Sequence, residues 1–445
     1  MIENDAFKLL LINLFHLNPD DITNIVCTTF NKMMVLLVTL ADKHQACPYC
    51  GFTAPKIKEY VTKEITHSAL TTQKCIIKYR ARRYKCPCCG KTYYEFNPFV
   101  FKSQKISILT VHNILKDLKD FNETFTSVAR RYHVSPTSVS TIFDNHVDIG
   151  RNKLPEIINF DEVYAFKSEK SKYVCVLLDF KKQIPVDVLP NRKKEYLLNY
   201  FQKIPLEERK KVKYACSDMY EVYRDVVHKV FPEAKHLLDY FHLSQDFHKK
   251  MNEVRIKVMK GYKDNKASDE YYLLKKFNWL LFKNPEDEDK YGRLFDVERE
   301  RKYNSHFKSY MNYYDLRKKL LEINNDLTIC YSLKLELVDF YSKSTIDNAQ
   351  VNLEHLIRSF IDTNIEEMIK FSNNLINWKQ EIINSFTIVG TEYKVEADKG
   401  QVVVCNKKVN NAIIENRNKI IKCIKNNANG YTNWLRFRNR VMYVL

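Results

Sequence analysis

The chain has 445 residues, enough for two to four domains with ample cores, and its 72 basic residues against 54 acidic ones give a formal charge of +18. The excess is concentrated: residues 51–100 carry net +7 and residues 401–445 net +8, a distribution that suits a phosphate backbone as partner better than generic solubility charge. No apolar run reaches the roughly 18 residues of a membrane span, the N-terminus shows no basic and then apolar leader, and the cytoplasmic location this predicts argues against a disulfide framework for the twelve cysteines.

Residues 22–41, ITNIVCTTFNKMMVLLVTLA, alternate and then run apolar, which predicts two strands leading to the first of two cysteine knuckles. Cys47-Pro48-Tyr49-Cys50-Gly51 and Cys86-Pro87-Cys88-Cys89-Gly90 each place two thiolates on a tight turn with a glycine after the second, the pattern of a zinc ribbon. The 35 residues between them exceed the common spacing of about 15–20, but KIKEYVTKEI and KCIIKYRARRY can pair as a hairpin that brings the knuckles together. Cys47, Cys50, Cys86 and Cys89 are the expected ligands of a structural Zn2+. Cys88 could replace Cys86 or Cys89, while Cys75 and His67 are read as packing or surface residues. Seven bases between Lys74 and Lys91, among them Arg80, Arg82, Arg83 and Lys85, interleave with Tyr79, Tyr84 and Tyr93. That mixture suits a DNA backbone and, taken alone, equally a solvated hairpin.

Residues 106–147 are helical in pattern, and FTSVARRYHVSPTSVSTIF at 125–143 predicts a helix-turn-helix. Val128, Ala129 and Tyr132 pack the first helix, Ser135 caps the second, Pro136 takes its first position, and Val139 and Ile142 face inward. Thr137, Ser138, Ser140 and Thr141 are then left for a DNA groove. His133 stands where a turn glycine is common.

From Glu156 the pattern changes. EIINFDEVYAF, KYVCVLLDF and QIPVDVLP read as three strands, followed by a helix at Lys193–Ile204, a strand at 212–218, a helix at Glu221–Val230 and a strand at 234–239. Three strands in series and then alternating helix and strand is the order of a ribonuclease-H-like sheet, in which the first and fourth strands are neighbours. Asp161 lies in the first and Asp218 ends the fourth, at the edge where α/β sheets present side chains to a crevice. Two carboxylates there can share divalent ions, and a third can complete a two-metal site. Residues 240–400 are largely helical in pattern and read as an insertion before the last core helix, with Trp279 and Trp378 as packing residues. In that last helix, expected over Asn411–Asn427, Ile413, Ile414, Ile420, Ile421 and Ile424 share an apolar face. Glu415, the one acid among nine bases in the last 45 residues, is either a surface partner of Lys419 or a metal-binding carboxylate.

Together these pieces resemble the transposases of bacterial insertion sequences of the ISL-three family, along nearly the whole chain. CPYCG and RRYKCPCCGK carry the likeness at the ribbon; NFDEVYAFKSEKSKYVCVLLDF, CSDMYEVYRDVVHKVFPEAKHLLDYFHL and VNNAIIENRNKIIKCIKNNANGYTNWLRFRNR carry it in the catalytic domain. The last block keeps Asn418, Lys422, Gly430, Arg438 and Arg440 in matching places and departs at Asn416 and Asn426. The resemblance implies a multidomain α+β protein: a zinc-ribbon domain (1–100), a helix-turn-helix (101–150), and a ribonuclease-H-like core (151–245) interrupted by a helical insertion (246–405) and resumed in a final helix and basic tail (406–445). It implies a DDE enzyme that cleaves and joins DNA with two Mg2+ (or Mn2+) ions held by Asp161, Asp218 and Glu415, ahead of Glu354, Glu366 and Glu367 as third acid. Asp239 and His242 resemble an accessory D-x-x-H signature, which either orients the site or caps and packs the next helix; Glu162 is read as structural. The expected partners are the element's terminal inverted repeats and target DNA, bound by a homodimer in the bacterial nucleoid. Backbone contacts are expected from the ribbon bases named above and from Lys419, Lys422, Arg436, Arg438 and Arg440. A ribonuclease-H-like nuclease without strand transfer and a domesticated DNA-binding regulator are the rival readings.

Overall fold

The computed structural model describes residues 2–445 apart from positions 44, 69, 103, 167–170 and 396–401. The chain forms two compact units, one built from Met1–Arg151, Tyr164–Lys172 and Asn418–Leu445, the other from Asn152–Val163 and Tyr173–Arg417. The segment 406–445, read above as one piece, is thus split inside a helix, and the quoted motif around Asp161 crosses positions that lie outside the described residues. No helix among the described residues is long and apolar enough to cross a membrane.

The first unit opens with helix α1 (Ile2–Leu14), for which the sequence reading made no provision. Its Leu11 and Ile12 pack on a five-stranded sheet. Strands β1 (Ile22–Phe30) and β2 (Met33–Leu40) form the expected pair, β3 (Lys56–Thr66) and β4 (Cys75–Lys85) the expected long hairpin, and β5 (Thr92–Tyr94) adds to β4. The order is β1-β2-β4-β3, with β2 and β4 parallel. Helices α2 (Ile108–Asp117), α3 (Phe125–Arg131) and α4 (Pro136–His146) follow. Val128, Ala129, Tyr132, Val139 and Ile142 are all buried as the periodicity requires. Ser135 accepts from the Ser138 backbone N–H at 3.0 Å, with Pro136 in the first turn. His133 takes φ +54°, so a residue with a Cβ occupies the left-handed turn position usually left to glycine. The C-terminal helix in this unit, introduced below as α16, closes over the helices: Tyr443 meets Phe143 edge-on, and Asn439 Nδ2 donates to the Val147 carbonyl at 2.9 Å.

The second unit is organised by a sheet of β6 (Ile157–Val163), β7 (Val174–Asp179), β8 (Pro185–Leu189), β9 (Tyr214–Ser217) and β10 (Lys235–Leu238), in the order β10-β9-β6-β7-β8. β6, β7 and β8 are antiparallel neighbours, whereas β6, β9 and β10 run parallel. Helices α5 (Lys194–Gln202), α6 (Leu206–Arg209) and α7 (Glu221–Val230) make the crossovers, and Leu197, Phe201, Tyr223, Val226 and Val227 bury one face of the sheet. Helices α8 (Tyr240–Lys260), α9 (Asp269–Lys276), α10 (Tyr313–Glu322), α11 (Asn325–Lys343), α12 (Ala349–Ile361), α13 (Glu366–Asn377) and α14 (Lys379–Asn384) build a separate core around Phe247, Phe360 and Phe371.

Residues 240–400 are less purely helical than the sequence reading expects. Short strands β11 (Glu288–Asp289), β12 (Gly292–Arg293), β13 (Lys302–Asn304) and β14 (Ser309–Met311) interrupt them. β15 (Ile388–Val395) and β16 (Val402–Lys408) form an antiparallel pair before helix α15 (Ala412–Asn427), which leads to α16 (Trp434–Val444). The β-branched run TIVGTEYKV carries that strand preference.

The start of α15 is pinned to the sheet through buried amides. Asn159 Nδ2, on β6, donates to Asn411 Oδ1 at 2.7 Å and to the Asn410 carbonyl at 2.8 Å. Asn411 Nδ2 reaches the Phe160 carbonyl at 3.4 Å, and Asn411 is fully buried. Removing one partner from such a buried set costs about 1–3 kcal/mol. Asn411→Ala is therefore expected to lower the urea midpoint of the chain by that equivalent; an unshifted midpoint would contradict the clamp.

Candidate active site

Strand register sets the geometry of the acids. Asn159 pairs with Cys216 across β6 and β9, so two residues further on Asp161 is level with Asp218. Ser217 pairs with Leu238 across β9 and β10, so Asp218 is in turn level with Asp239. Three aspartates thus stand in a row across three parallel strands, one strand spacing (about 4.8 Å) apart. They share a sheet face with Ile157, Cys216 and Leu237, against which Val409 and Ile413 of the α15 region pack.

Helix α15 brings the fourth carboxylate. Ligand atoms of Asp239, His242 and Glu415 lie within 4.8 Å of one another. His242 sits one turn into α8, and its Nε2 is 3.9 Å from Asp239 Oδ2. Asp239 occupies the N-cap position of α8, yet its side chain makes no capping hydrogen bond; Oδ1 instead accepts from the Asn411 backbone N–H at 3.4 Å.

Burial makes this group electrostatically costly. Asp161 is pushed up to about 7, first by burial and further by the charge of Asp218, against the pull of the Glu162 N–H that it accepts at 2.7 Å. Asp218 is raised to about 6 by burial and then by Glu162, with His242 and Arg192 opposing. Asp239 is raised by burial, with Glu415 adding and His242 opposing. Asp218 Oδ1, Asp239 Oδ2, Glu162 Oε2 and His242 Nε2 are buried without a hydrogen-bond partner. Of these, Asp218 Oδ1 and Asp239 Oδ2 stand on neighbouring strands at one sheet edge, and unpaired carboxylate lone pairs there fit a hard divalent cation such as Mg2+ or Mn2+.

One residue escaped the sequence reading. Arg192, between β8 and α5, forms an ion pair with Glu162 and lies over the rings of Tyr173 and Tyr220 at 4.6 and 4.8 Å. Its signal was weak: one arginine in a basic run, NRKKE. The rival third acids fall elsewhere in use: Glu354 pairs with Lys379, Glu366 with Lys370 and Glu367 with Lys257.

In the first unit the two knuckles converge. Sγ atoms of Cys47 and Cys89 are 3.7 Å apart, those of Cys50 and Cys86 3.5 Å, and all four lie within 4.8 Å of one another. Gly51 and Gly90 take φ +73° and +71°, and each donates its N–H back to the first cysteine of its knuckle at 2.9 Å. The N–H of Cys89 leads the contacts that pull the Cys86 thiol down to about 7. Four convergent thiols are compatible with a structural zinc. Cys88 is exposed and outside the cluster, Cys75 is buried at the start of β4, and His67 is spent on Ser107 Oγ and the Phe15 carbonyl.

The bases expected to face DNA divide into two kinds. Arg80, Lys85, Lys422, Thr137 and Thr141 are exposed, as is Lys419, while Ser138 is half-buried. Arg440 is not a surface base: it is 1% exposed, and its Nη2 donates to the carbonyls of Asp120 and Glu123. Arg82 is likewise internal in function, bonding Glu95 and the carbonyls of Leu40 and Ala41. Arg83 pairs with Glu59, Arg436 is bidentate to Asp144, and Arg438 Nη1 donates to the Ile149 carbonyl.

A transposase family model matches residues 158–397, which include Asp161, Asp218, Asp239 and His242 and stop short of Glu415. The transposase for insertion sequence element IS1001 of Bordetella parapertussis is 19% identical over 393 residues, covering 87% of this chain and 86% of that one. With more than half of its length inside the family match, the chain belongs to the ISL-three family of DDE transposases.

Proposed function

We propose that the protein moves an insertion sequence by cutting DNA at the element's terminal inverted repeats and joining the freed ends to target DNA. The observation that carries this reading is the row of Asp161, Asp218 and Asp239 on parallel strands, with Glu415 of α15 set beside its end. The order β10-β9-β6-β7-β8, with crossover helices, supports a ribonuclease-H-like core. Asp161, Asp218 and Glu415 are the metal-holding acids of this reading. A divalent pair held by these acids would supply charge stabilisation to an in-line phosphoryl displacement. Asp239 and His242 support the site from beside Glu415. Arg192 holds Glu162 out of the metal set by pairing with it.

DNA recognition is assigned to the first unit. The α3–α4 pair acts as a helix-turn-helix, with Thr137, Ser138 and Thr141 at the groove. Arg80, Lys85, Lys419 and Lys422 supply phosphate contacts, and a zinc-bound ribbon of Cys47, Cys50, Cys86 and Cys89 holds the hairpin that carries Arg80 and Lys85. Two element ends must be held at once, which calls for a homodimer on DNA in the bacterial cytoplasm. These recognition modules favour transposition over a plain nuclease, and the acid row favours it over a DNA-binding regulator.

Purified protein with Mg2+ or Mn2+ is expected to cleave and join DNA carrying the repeats that flank its gene. Asp161→Asn, Asp218→Asn and Glu415→Gln should each reduce strand cleavage by at least about a thousandfold, as expected when an electrostatic contribution of about 4 kcal/mol to the transition state is lost. Cleavage surviving in any of them would remove that residue from the site.

The raised carboxyls also predict a stability signature. Folded values of about 7 for Asp161 and about 6 for Asp218 lie above the value of about 4 for a free carboxyl. Their contribution to stability is full below about pH 4 and is lost as pH rises through 6 to 7. Metal-free protein should therefore melt at lower temperature at pH 8 than at pH 5, and Asp161→Asn should narrow that difference; a wider difference in the variant would refute the electrostatic account.

For the ribbon, Cys47→Ser and Cys86→Ser should each release zinc, measured by elemental analysis, and lose protection of β3 and β4 in hydrogen exchange. Zinc retained at the wild-type ratio would contradict the ligand assignment.

A further inference from the structure

A second cluster of metal-ligating side chains lies on the opposite face of the sheet in the second unit. Successive strand residues face opposite sides, so His236 of β10 points away from the face that carries Asp239 and towards α7. His228, at the end of α7, and Glu381, in α14, meet it there, with one ligand atom from each within 4.8 Å of the others. Glu381 Oε1 is 3.9 Å from both His228 Nε2 and His236 Nδ1, too far for a hydrogen bond to either.

Proton bookkeeping shows what belongs between them. Ser217 Oγ donates its single proton to the Asp218 carbonyl at 2.8 Å, and the same oxygen lies 2.9 Å from His236 Nε2. The hydroxyl has one proton to give, so Nε2 carries the N–H and donates to Oγ. Nδ1 is then a bare lone pair, and it is buried without a partner in a residue 1% exposed. It faces the carboxylate of Glu381, itself 4% exposed. Two acceptors buried face to face repel unless a cation sits between them. Burial also lowers His236, which disfavours an imidazolium as that cation. Arg224, whose charge acts on both His236 and Glu381, is committed to the Trp378 ring at 4.3 Å and the Asn377 carbonyl at 2.9 Å.

We propose that His228 Nε2, His236 Nδ1 and the Glu381 carboxylate bind a divalent transition metal ion of the zinc class, which ties α14 to the edge of the sheet. Two imidazoles and a carboxylate are a donor set that zinc accepts, with a fourth position left for water on the exposed His228 side. Tetrahedral zinc holds its ligand atoms about 3.4 Å apart, so closing from 3.9 Å takes about half an ångström. The N–H to Ser217 is the outer-shell bond that fixes the tautomer and ring orientation of a metal-binding histidine. Asn384 Nδ2 donates to the His236 carbonyl at 2.9 Å, so backbone and side chain of His236 are both tied to α14. The site is separate from the carboxylate row, and the inference does not rest on DNA strand transfer.

The test is zinc binding to the full chain carrying Asp161→Asn, with its cysteine-bound zinc retained and Mg2+ in excess to occupy the remaining carboxylates. One further zinc per chain is expected, accompanied by added hydrogen-exchange protection of α14. His228→Ala removes an exposed side chain and should preserve the fold, checked by circular dichroism; it should weaken that zinc at least tenfold and abolish the added protection. Glu381→Gln should act likewise, whereas His242→Ala should leave this zinc in place. No uptake beyond the cysteine site, or equal uptake by parent, His228→Ala and Glu381→Gln, would overturn the proposal.

Discussion

The second unit depends on the amide clamp between Asn159 and Asn411. Glu415 follows Asp218 after 196 intervening residues, and nothing in chain proximity delivers it to the aspartates. The clamp does so by fixing the first turn of α15 against β6, with Asn159 Nδ2 shared between Asn411 Oδ1 and the Asn410 carbonyl. The same residue ties in β10, because the Asn411 N–H points at Asp239 Oδ1. Three segments distant in sequence are thus registered by one buried asparagine. Its amide offers the backbone-like donor and acceptor pattern that a hydrophobic residue of similar size lacks. Packing of Val409 and Ile413 on Leu237 and Cys216 supplies the non-directional part of the same contact.

That registration works against electrostatics. A row of acids in a partly desolvated edge raises the carboxyl values of Asp161, Asp218 and Asp239 and leaves several oxygens without partners. A protein selected for stability alone would place amides or apolar residues there. The fold tolerates the arrangement because the surrounding strands are apolar and rigid: Ile158, Phe160, Val176, Leu177 and Ala215 are fully buried. Arg192 relieves part of the load by pairing with Glu162. The remaining excess of negative charge is available to a cation, so the feature that costs stability also suits a divalent ion.

Much of this was legible from residue pattern. The paired strands at 22–41, the hairpin between knuckles, the helix pair at 125–146 and the β-β-β-α-β-α-β order of the core all follow from periodicity, turn glycines and caps. The level placement of Asp161, Asp218 and Asp239 was less so: the strand order could be inferred, but register is set by tertiary packing. Helix α1 and the β15–β16 hairpin were missed. The hairpin was hidden because it follows a long helical run, and its strand preference is visible only when read against the helices around it. Arg192 was missed since a single arginine in a basic stretch carries no periodicity or spacing.

The basic segments show where charge counting misleads. Lys422 and Arg440 contribute equally to the net +8 of residues 401–445, yet Lys422 is exposed while Arg440 is buried. The buried guanidinium satisfies the carbonyls of Asp120 and Glu123 in the α2–α3 turn, a role that needs several fixed donors rather than a charge. Arg82 does the same for the end of β2. Arginine suits both duties because its planar fork can bond several carbonyls at once, so a cluster of arginines in sequence is evidence for nucleic acid only after those tied to backbone are set aside. Arg80, Lys85 and Lys422 pass that filter by exposure, so the basic count of this unit overstates its surface charge by the guanidiniums turned inward.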